Sequence, residues 1–376
     1  MKITSVRCFH VEGPPREGLA LYEIPRGGMA PHEVSPYRTT FTEIETDAGL
    51  VGLSNGGSLE VVALGQELIG HDPVAVEAIW DRLYSGAYNR LGRLKPLAML
   101  DLALWDLLGK LRGEPVYRLL GGPCQERLRA YAGMLGFSVE PEAAARRSAE
   151  WVAKGFTALK WYLAYNQADG QEGLRQNVAL VRAVREAVGD DVDIMVDCIL
   201  SGSQGNSLLY ARELARRLEP YHPAWLEEPL HNDDLDAYRM LAQSTSIPLA
   251  VGERWQSRWQ IKALLDSGAP SVLQPDPNGA GGITEMVKIM TLASAYGLPV
   301  VPHANESCRN AVHLLFAQPP RTCPLGEWGV KINHNIQWFY QDFYEPVEGY
   351  FPLPDGPGFG YALDPGKIVA TREISL

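Results

Sequence analysis

From about residue 128 the apolar positions fall into a repeating theme. A short apolar run ends in a polar residue, a loop follows, and then apolar residues recur every three or four positions. The runs are Leu128–Met134, Phe156–Leu163, Val192–Asp197, Ala224–Glu228, Ile247–Glu253, Ser271–Gln274, Leu298–Val301 and Pro324–Trp328. Between them, Leu174, Val178, Val181, Val184 and Val188 mark one amphipathic helix, with Gly189 placed to cap it. Ile283, Val287 and Met290 mark another, stopped by Gly297. Strands alternating with helices predict parallel pairing through right-handed crossovers, and eight such units over roughly 210 residues predict a closed β/α barrel.

The first 125 residues read differently. Met1–Val11 and Thr39–Thr46 are strand-like, Thr46-Asp47-Ala48-Gly49 is a turn into Leu50–Leu53, and residues 72–120 are mainly helical. Strands followed by helices predict a separate α+β domain. Gly13–Pro36, rich in Gly and Pro, reads as a long loop, and loops of that length are usually functional or disordered. The expected layout is an N-terminal domain over 1–125, a barrel over 126–340, and a turn-rich C-terminal segment over 341–376 ending in a short strand.

Composition narrows the partners. Thirty-four Lys and Arg against 45 Asp and Glu give a net charge of −11, with no basic cluster, which argues against nucleic acid or an anionic membrane as partner. Five scattered cysteines without a CxxC read as reduced thiols of a cytoplasmic protein. No signal peptide is expected at the N-terminus, and no apolar run approaches the roughly 18 residues of a membrane span.

The residues that end the apolar runs carry the chemistry: Lys160 and Tyr162, Asp197, Glu227, Glu253, Asp276, His303 and Glu327. From Asp197 onward they are spaced 30, 26, 23, 27 and 24 residues apart, about one β/α unit each. Each therefore belongs at the C-terminal mouth of its own strand, where barrel enzymes keep their chemistry. Asp197, Glu227 and Glu253 come from consecutive strands, and three converging carboxylates repel one another unless a hard cation sits among them. An oxygen-only donor set suits one Mg²⁺. Glu228 cannot share a face with Glu227 in an extended strand, so a wall Lys or Arg is its expected partner. Asp276 and His303 end adjacent strands, and an Asp that accepts from one imidazole nitrogen fixes the tautomer and raises the basicity of the other. Glu327 is a candidate hydrogen-bonding acid toward a substrate carboxylate. A cation, a poised base and a supporting acid are what abstraction of a proton α to a carboxylate requires.

These residues sit in motifs that resemble the mandelate racemase-like branch of the enolase superfamily. They are Asp101-Leu-Ala-Leu-Trp-Asp-Leu-Leu-Gly-Lys110, Pro115–Gly122, Met195-Val-Asp197, Trp225-Leu-Glu-Glu-Pro229, Gly252-Glu253, Gln274-Pro-Asp276, Gly281-Gly282-Ile283, Val301-Pro-His303 and Gly326-Glu327. The tail Pro357-Gly-Phe-Gly360 resembles acid-sugar dehydratases acting on rhamnonate-like acids. The resemblance implies a modified TIM-type (β/α)7β barrel with an N-terminal capping domain completed by the C-terminal tail. It further implies a lid formed by Gly13–Pro36, a homo-oligomer (dimer or higher), and a sugar-acid substrate.

Departures from the family pattern choose among its activities. Where two-base members carry Lys-x-Lys, this chain has Lys160-Trp161-Tyr162, and tyrosine with an ordinary pKa near 10 is a poor base at neutral pH. One good base, His303, suffices for syn elimination of a β-hydroxyl, with Lys160 and Tyr162 positioning substrate or, for Tyr162, packing in the wall. The expected activity is a Mg²⁺-dependent dehydratase giving a 2-keto-3-deoxy acid. The rivals are a racemase or epimerase using Tyr162 or Lys160 as second base, and a non-catalytic sugar-acid-binding homologue. Arg254 either grips a distal substrate group or pairs with Glu228; His32 and Arg38 are candidate substrate contacts from the lid.

Overall fold

The computed structural model describes residues 1–16, 35–198, 206–304 and 308–375. In the first domain, β1 (Ile3–Arg16) pairs antiparallel with β2 (Ser35–Thr46), which pairs with β3 (Val51–Asn55) through the turn at Gly49, φ 73°. β1 and β2 are longer than expected and take up both ends of the stretch read as a loop. Residues 17–34, including His32, lie outside the described residues.

The barrel strands follow in order: β4 (Arg127–Gly133), β5 (Ala158–Tyr162), β6 (Asp193–Asp197), β7 (Trp225–Glu227), β8 (Leu249–Val251), β9 (Val272–Leu273) and β10 (Gly326–Gly329). They pair in parallel, with β10 closing onto β4. The seventh expected run, Leu298–Val301, is reduced to one bridge, Val300 opposite Leu273, supported by Val301 N–H to the Leu273 carbonyl at 2.9 Å. Pro299 and Pro302 bracket it and have no N–H for a ladder, so regular pairing cannot extend. The helix Gly170–Val188 buries Leu174, Val181 and Val184 and ends at Gly189, φ 74°, as its spacing predicted.

The tail has two attachments. β11 (Tyr350–Pro352) pairs antiparallel with β4, and β12 (Ala370–Ile374) pairs antiparallel with β1. It therefore joins the barrel's first strand before it completes the first domain's sheet.

The helix Lys95–Arg112 ties these parts together. Asp106 accepts from Leu53 N (2.9 Å) and Phe359 N (3.0 Å) and pairs with Lys110 (2.6 Å), joining β3 to the tail. Asp101 accepts from Thr284 N (3.0 Å) and Thr284 Oγ1 (2.5 Å) at the start of the barrel helix Gly282–Ala295. Burial pushes the Asp101 carboxyl up to about 7 despite those bonds. Gly282 has φ 83°, and a Cβ there would stand 2.3 Å from Asp101 Oδ2, so only glycine allows this approach. The motifs around Asp101 and Gly281-Gly282 thus form a clamp between the two domains.

Candidate active site at the barrel mouth

Parallel register sets Asp197 beside Tyr162 on one side and Glu227 on the other. Because side chains alternate along a strand, Ala158 and Lys160 share the inward face. The barrel interior is filled by Tyr131, Ala158, Met195, Trp225, Ala250, Val301 and Leu325. The charged residues rest on this plug.

The floor of the site is dry. Lys160 is 5% exposed, and its ammonium lies 2.9 Å from Glu227 Oε1, 2.9 Å from Glu327 Oε1 and 3.6 Å from Asp197 Oδ2. The Tyr131 ring stands 5.5 Å from the same nitrogen. Burial alone would lower the Lys160 pKa, but Glu227 and then Glu327 hold it well above the ordinary value. Glu227 Oε2 accepts from Trp225 Nε1 and Gln274 Nε2, both at 3.1 Å. Glu327 Oε2 accepts from Ala304 N at 2.6 Å. Burial raises the Glu327 carboxyl, yet Lys160, then His303, then the Ala304 amide bring it down to about 2. Glu327 thus faces the Lys160 ammonium with Oε1 and the Ala304 amide with Oε2.

The rim is partly wet. His303 is 17% exposed at its side chain; its Nδ1 is 2.8 Å from Asp276 Oδ2 and its Nε2 is 3.4 Å from Glu253 Oε2. Burial would lower the imidazole pKa, but Glu253, Glu327 and Asp276 together hold it well above 6.5. Glu253 follows Gly252, whose φ of 142° brings the chain so close to Gln274 that a Cβ would meet its amide nitrogen at 2.8 Å. Arg254 binds Glu228 Oε2 at 2.9 Å and Glu253 Oε1 at 3.2 Å. The strand has ended at Glu227, since Glu228 is left-handed (φ 39°), and this frees Glu228 from the alternation that would have turned it outward. Glu228 is 4% exposed, and its Oε1 has no hydrogen-bond partner among the described residues. Burial, with Glu253 next, pushes its carboxyl up to about 7.

Six carboxylates (Asp197, Glu227, Glu228, Glu253, Asp276 and Glu327) thus surround two permanent cations and one imidazole. Among the described residues, no three of them form a ready-made metal cluster. Lys160 acts as the local counter-ion between Glu227 and Asp197. The donor set still fits a hard divalent cation. The pocket carries excess buried negative charge, Glu228 keeps an unsatisfied oxygen, and the Asp197 carboxyl is driven well above its ordinary value by burial and then by Glu227.

Eight of the eleven residues singled out in the sequence meet at this mouth: Lys160, Asp197, Glu227, Glu253, Arg254, Asp276, His303 and Glu327. Tyr162 is on β5 as expected, but its hydroxyl donates to the Phe137 carbonyl. Arg38 is exposed and pairs with Glu12 at 2.7 Å. The sequence reading gave no role to Trp225, Gln274 or Tyr131, although the first two lie in quoted motifs. Trp225 had a readable signal, since it lies two residues before Glu227 and so shares its face.

Residues 143–367 match the family described as enolase C-terminal domain-like, and residues 23–121 match the mandelate racemase/muconate lactonizing enzyme N-terminal domain. The chain belongs to the enolase superfamily. It is 33% identical to L-rhamnonate dehydratase of Saccharopolyspora erythraea, over 95% of this chain and 90% of that protein. It is also 33% identical to D-galactonate dehydratase of Xanthomonas euvesicatoria, over 89% of this chain and 91% of that protein. Among solved structures, L-rhamnonate dehydratase from Gibberella zeae superposes with a TM-score of 0.80 at 30% identity, covering 97% of this chain and 94% of that one.

Proposed function

We propose that the protein is a Mg²⁺-dependent sugar-acid dehydratase, which removes the proton α to the carboxylate and expels the β-hydroxyl as water. The observation that carries this reading is His303, bonded at Nδ1 to Asp276 with Nε2 directed to the acid-lined mouth. The relatives that are named dehydratases of rhamnonate and galactonate support the substrate class.

Asp197, Glu227 and Glu253 would hold the metal, which when bound supplies Lewis-acid stabilisation of negative charge on the substrate carboxylate. In its neutral form, which the surrounding carboxylates disfavour until a cation and substrate offset their charge, His303 accepts the α-proton at Nε2 while Nδ1–H stays bonded to Asp276, and the C–H electron pair moves into the carboxylate as an ene-diolate. The ammonium of Lys160, fixed by Glu327 and Glu227, offsets part of that charge. As the electron pair returns, the β-carbon–oxygen bond breaks. His303 delivers its Nε2 proton to the departing hydroxyl, so water leaves, and the enol rearranges to a 2-keto-3-deoxy acid.

Racemisation needs a second base on the opposite face. Lys160 is held protonated by its carboxylates, and the Tyr162 hydroxyl is engaged by Phe137, which favours elimination. In D₂O with Mg²⁺, His303→Asn is expected to lose both keto-acid formation and exchange of the α-proton. Retained exchange in that variant would remove His303 from its role. Inversion with solvent deuterium and no loss of water in the wild type would establish the epimerase instead.

A further inference from the structure

Of the three carboxylates assigned to the metal, Glu227 is the most deeply set. Its side chain is 2% exposed, against 16% for Asp197 and 23% for Glu253. Its Oε1 faces Lys160 at 2.9 Å, and its Oε2 accepts from both Trp225 Nε1 and Gln274 Nε2 at 3.1 Å. Its main-chain carbonyl accepts from Cys198 N at 3.0 Å. The two donors to Oε2 are themselves held. Trp225 is buried, and its ring meets Tyr131 edge-on with centroids 6.0 Å apart. Gln274 is buried too, its N–H donates to the Val251 carbonyl at 2.8 Å, and Gly252 packs directly against its backbone. Gln274 thus touches Glu227 with its side chain and the approach to Glu253 with its main chain. Its Oε1 has no partner among the described residues. An unpaired buried carbonyl costs free energy, and the bond made by Nε2 is what offsets that cost.

We infer that Trp225 and Gln274 are positioning residues that preset Glu227 for a divalent cation, with Gln274 also linking it to the strand end that carries Glu253. A flexible carboxylate loses rotamer freedom when it takes up a cation, whereas one locked by two donors has already lost it on folding. The same donors keep Oε2 from turning toward Lys160, whose ammonium competes with a cation for Glu227. Hydrogen-bond partners of ligating carboxylates commonly set metal affinity by about 10- to 100-fold. Asp197 and Glu253, on the wetter rim, are the ligands left to adjust. This inference rests on the assignment of Asp197, Glu227 and Glu253 as the ligand set.

The test titrates Mg²⁺ into the metal-free protein by isothermal calorimetry and follows keto-acid formation against Mg²⁺ concentration. Gln274→Met keeps the side-chain length but removes the donor, and Trp225→Phe removes the indole N–H. Each is expected to raise the Mg²⁺ Kd by about 10- to 100-fold. The Mg²⁺ concentration giving half-maximal activity should rise by the same factor, so excess metal restores turnover that a merely structural defect would not recover. A Kd for Gln274→Met within about twofold of wild type would overturn the inference, whether or not Trp225→Phe folds. Activity that excess Mg²⁺ fails to restore would overturn it as well. The expected Kd shift in a protein whose wild type makes no keto acid would leave it standing and remove the dehydratase reading. A wild type that binds no Mg²⁺ would overturn the ligand assignment, and this inference with it.

Discussion

Lys160→Met removes the ammonium that lies within 3.6 Å of three carboxylates while keeping a side chain of similar length. Its cost can be worked from Glu327. That carboxyl sits at about 2 in the folded protein against an ordinary 4.5, so ionised Glu327 contributes stability that is present above 4.5 and lost as pH falls through about 2. The difference corresponds to about 3 kcal/mol, most of it owed to Lys160. Removing one partner of a buried ion pair commonly costs about 3–5 kcal/mol, so the two routes agree. Without the ammonium, Glu327 is one of the buried acids whose folded pKa burial raises. Such groups favour the folded state more as pH falls and they take up protons. Urea unfolding followed by tryptophan fluorescence should therefore show a loss of about 3–5 kcal/mol at pH 8 and a distinctly smaller loss at pH 5.5. A loss below about 1 kcal/mol, or the same loss at both pH values, would refute the idea that Lys160 holds a dry acid floor together.

Other perturbations follow from the same geometry. Tyr162→Phe deletes a hydroxyl committed to the Phe137 carbonyl. It should leave kcat for dehydration within about threefold of wild type, since removing an acid–base group commonly costs about 10²-fold or more; a fall of that size would return Tyr162 to the chemistry. Gly282→Ala forces a left-handed φ of 83° and pushes into Asp101, and should cost about 3 kcal/mol from backbone strain plus a displaced buried carboxylate. Thermal unfolding unchanged from wild type would show that the interdomain clamp is slack. His313, fully buried with Nδ1 accepting from Tyr117 N, is pulled down to about 3 by burial. Its folded pKa is depressed below 6.5, so stability is full above 6.5 and drains as pH falls toward 3, because the unfolded chain takes the proton first. Between pH 6.5 and 5, wild type should lose about 1.5 kcal/mol more than His313→Gln, and parallel pH profiles would contradict the assignment.

The spacing of strand-end residues was enough to place Asp197, Glu227, Glu253, Asp276, His303 and Glu327 around one mouth, because a parallel β/α unit has a nearly constant length. The helix Gly170–Val188 and its glycine stop were readable for a similar local reason, whereas Leu298–Val301, read as a full strand, is reduced to a single bridge. What the sequence alone determined is therefore periodic: which residues face inward, and which end a strand. It did not determine ionisation or pairing. The anionic state of Glu327, the engagement of Tyr162 by Phe137, the support of Glu227 by Trp225 and Gln274, and the inward turn of Glu228 each depend on atoms far apart in the chain. Electrostatic energy depends on separation in space and on the depth of burial, and only the closed barrel sets either one.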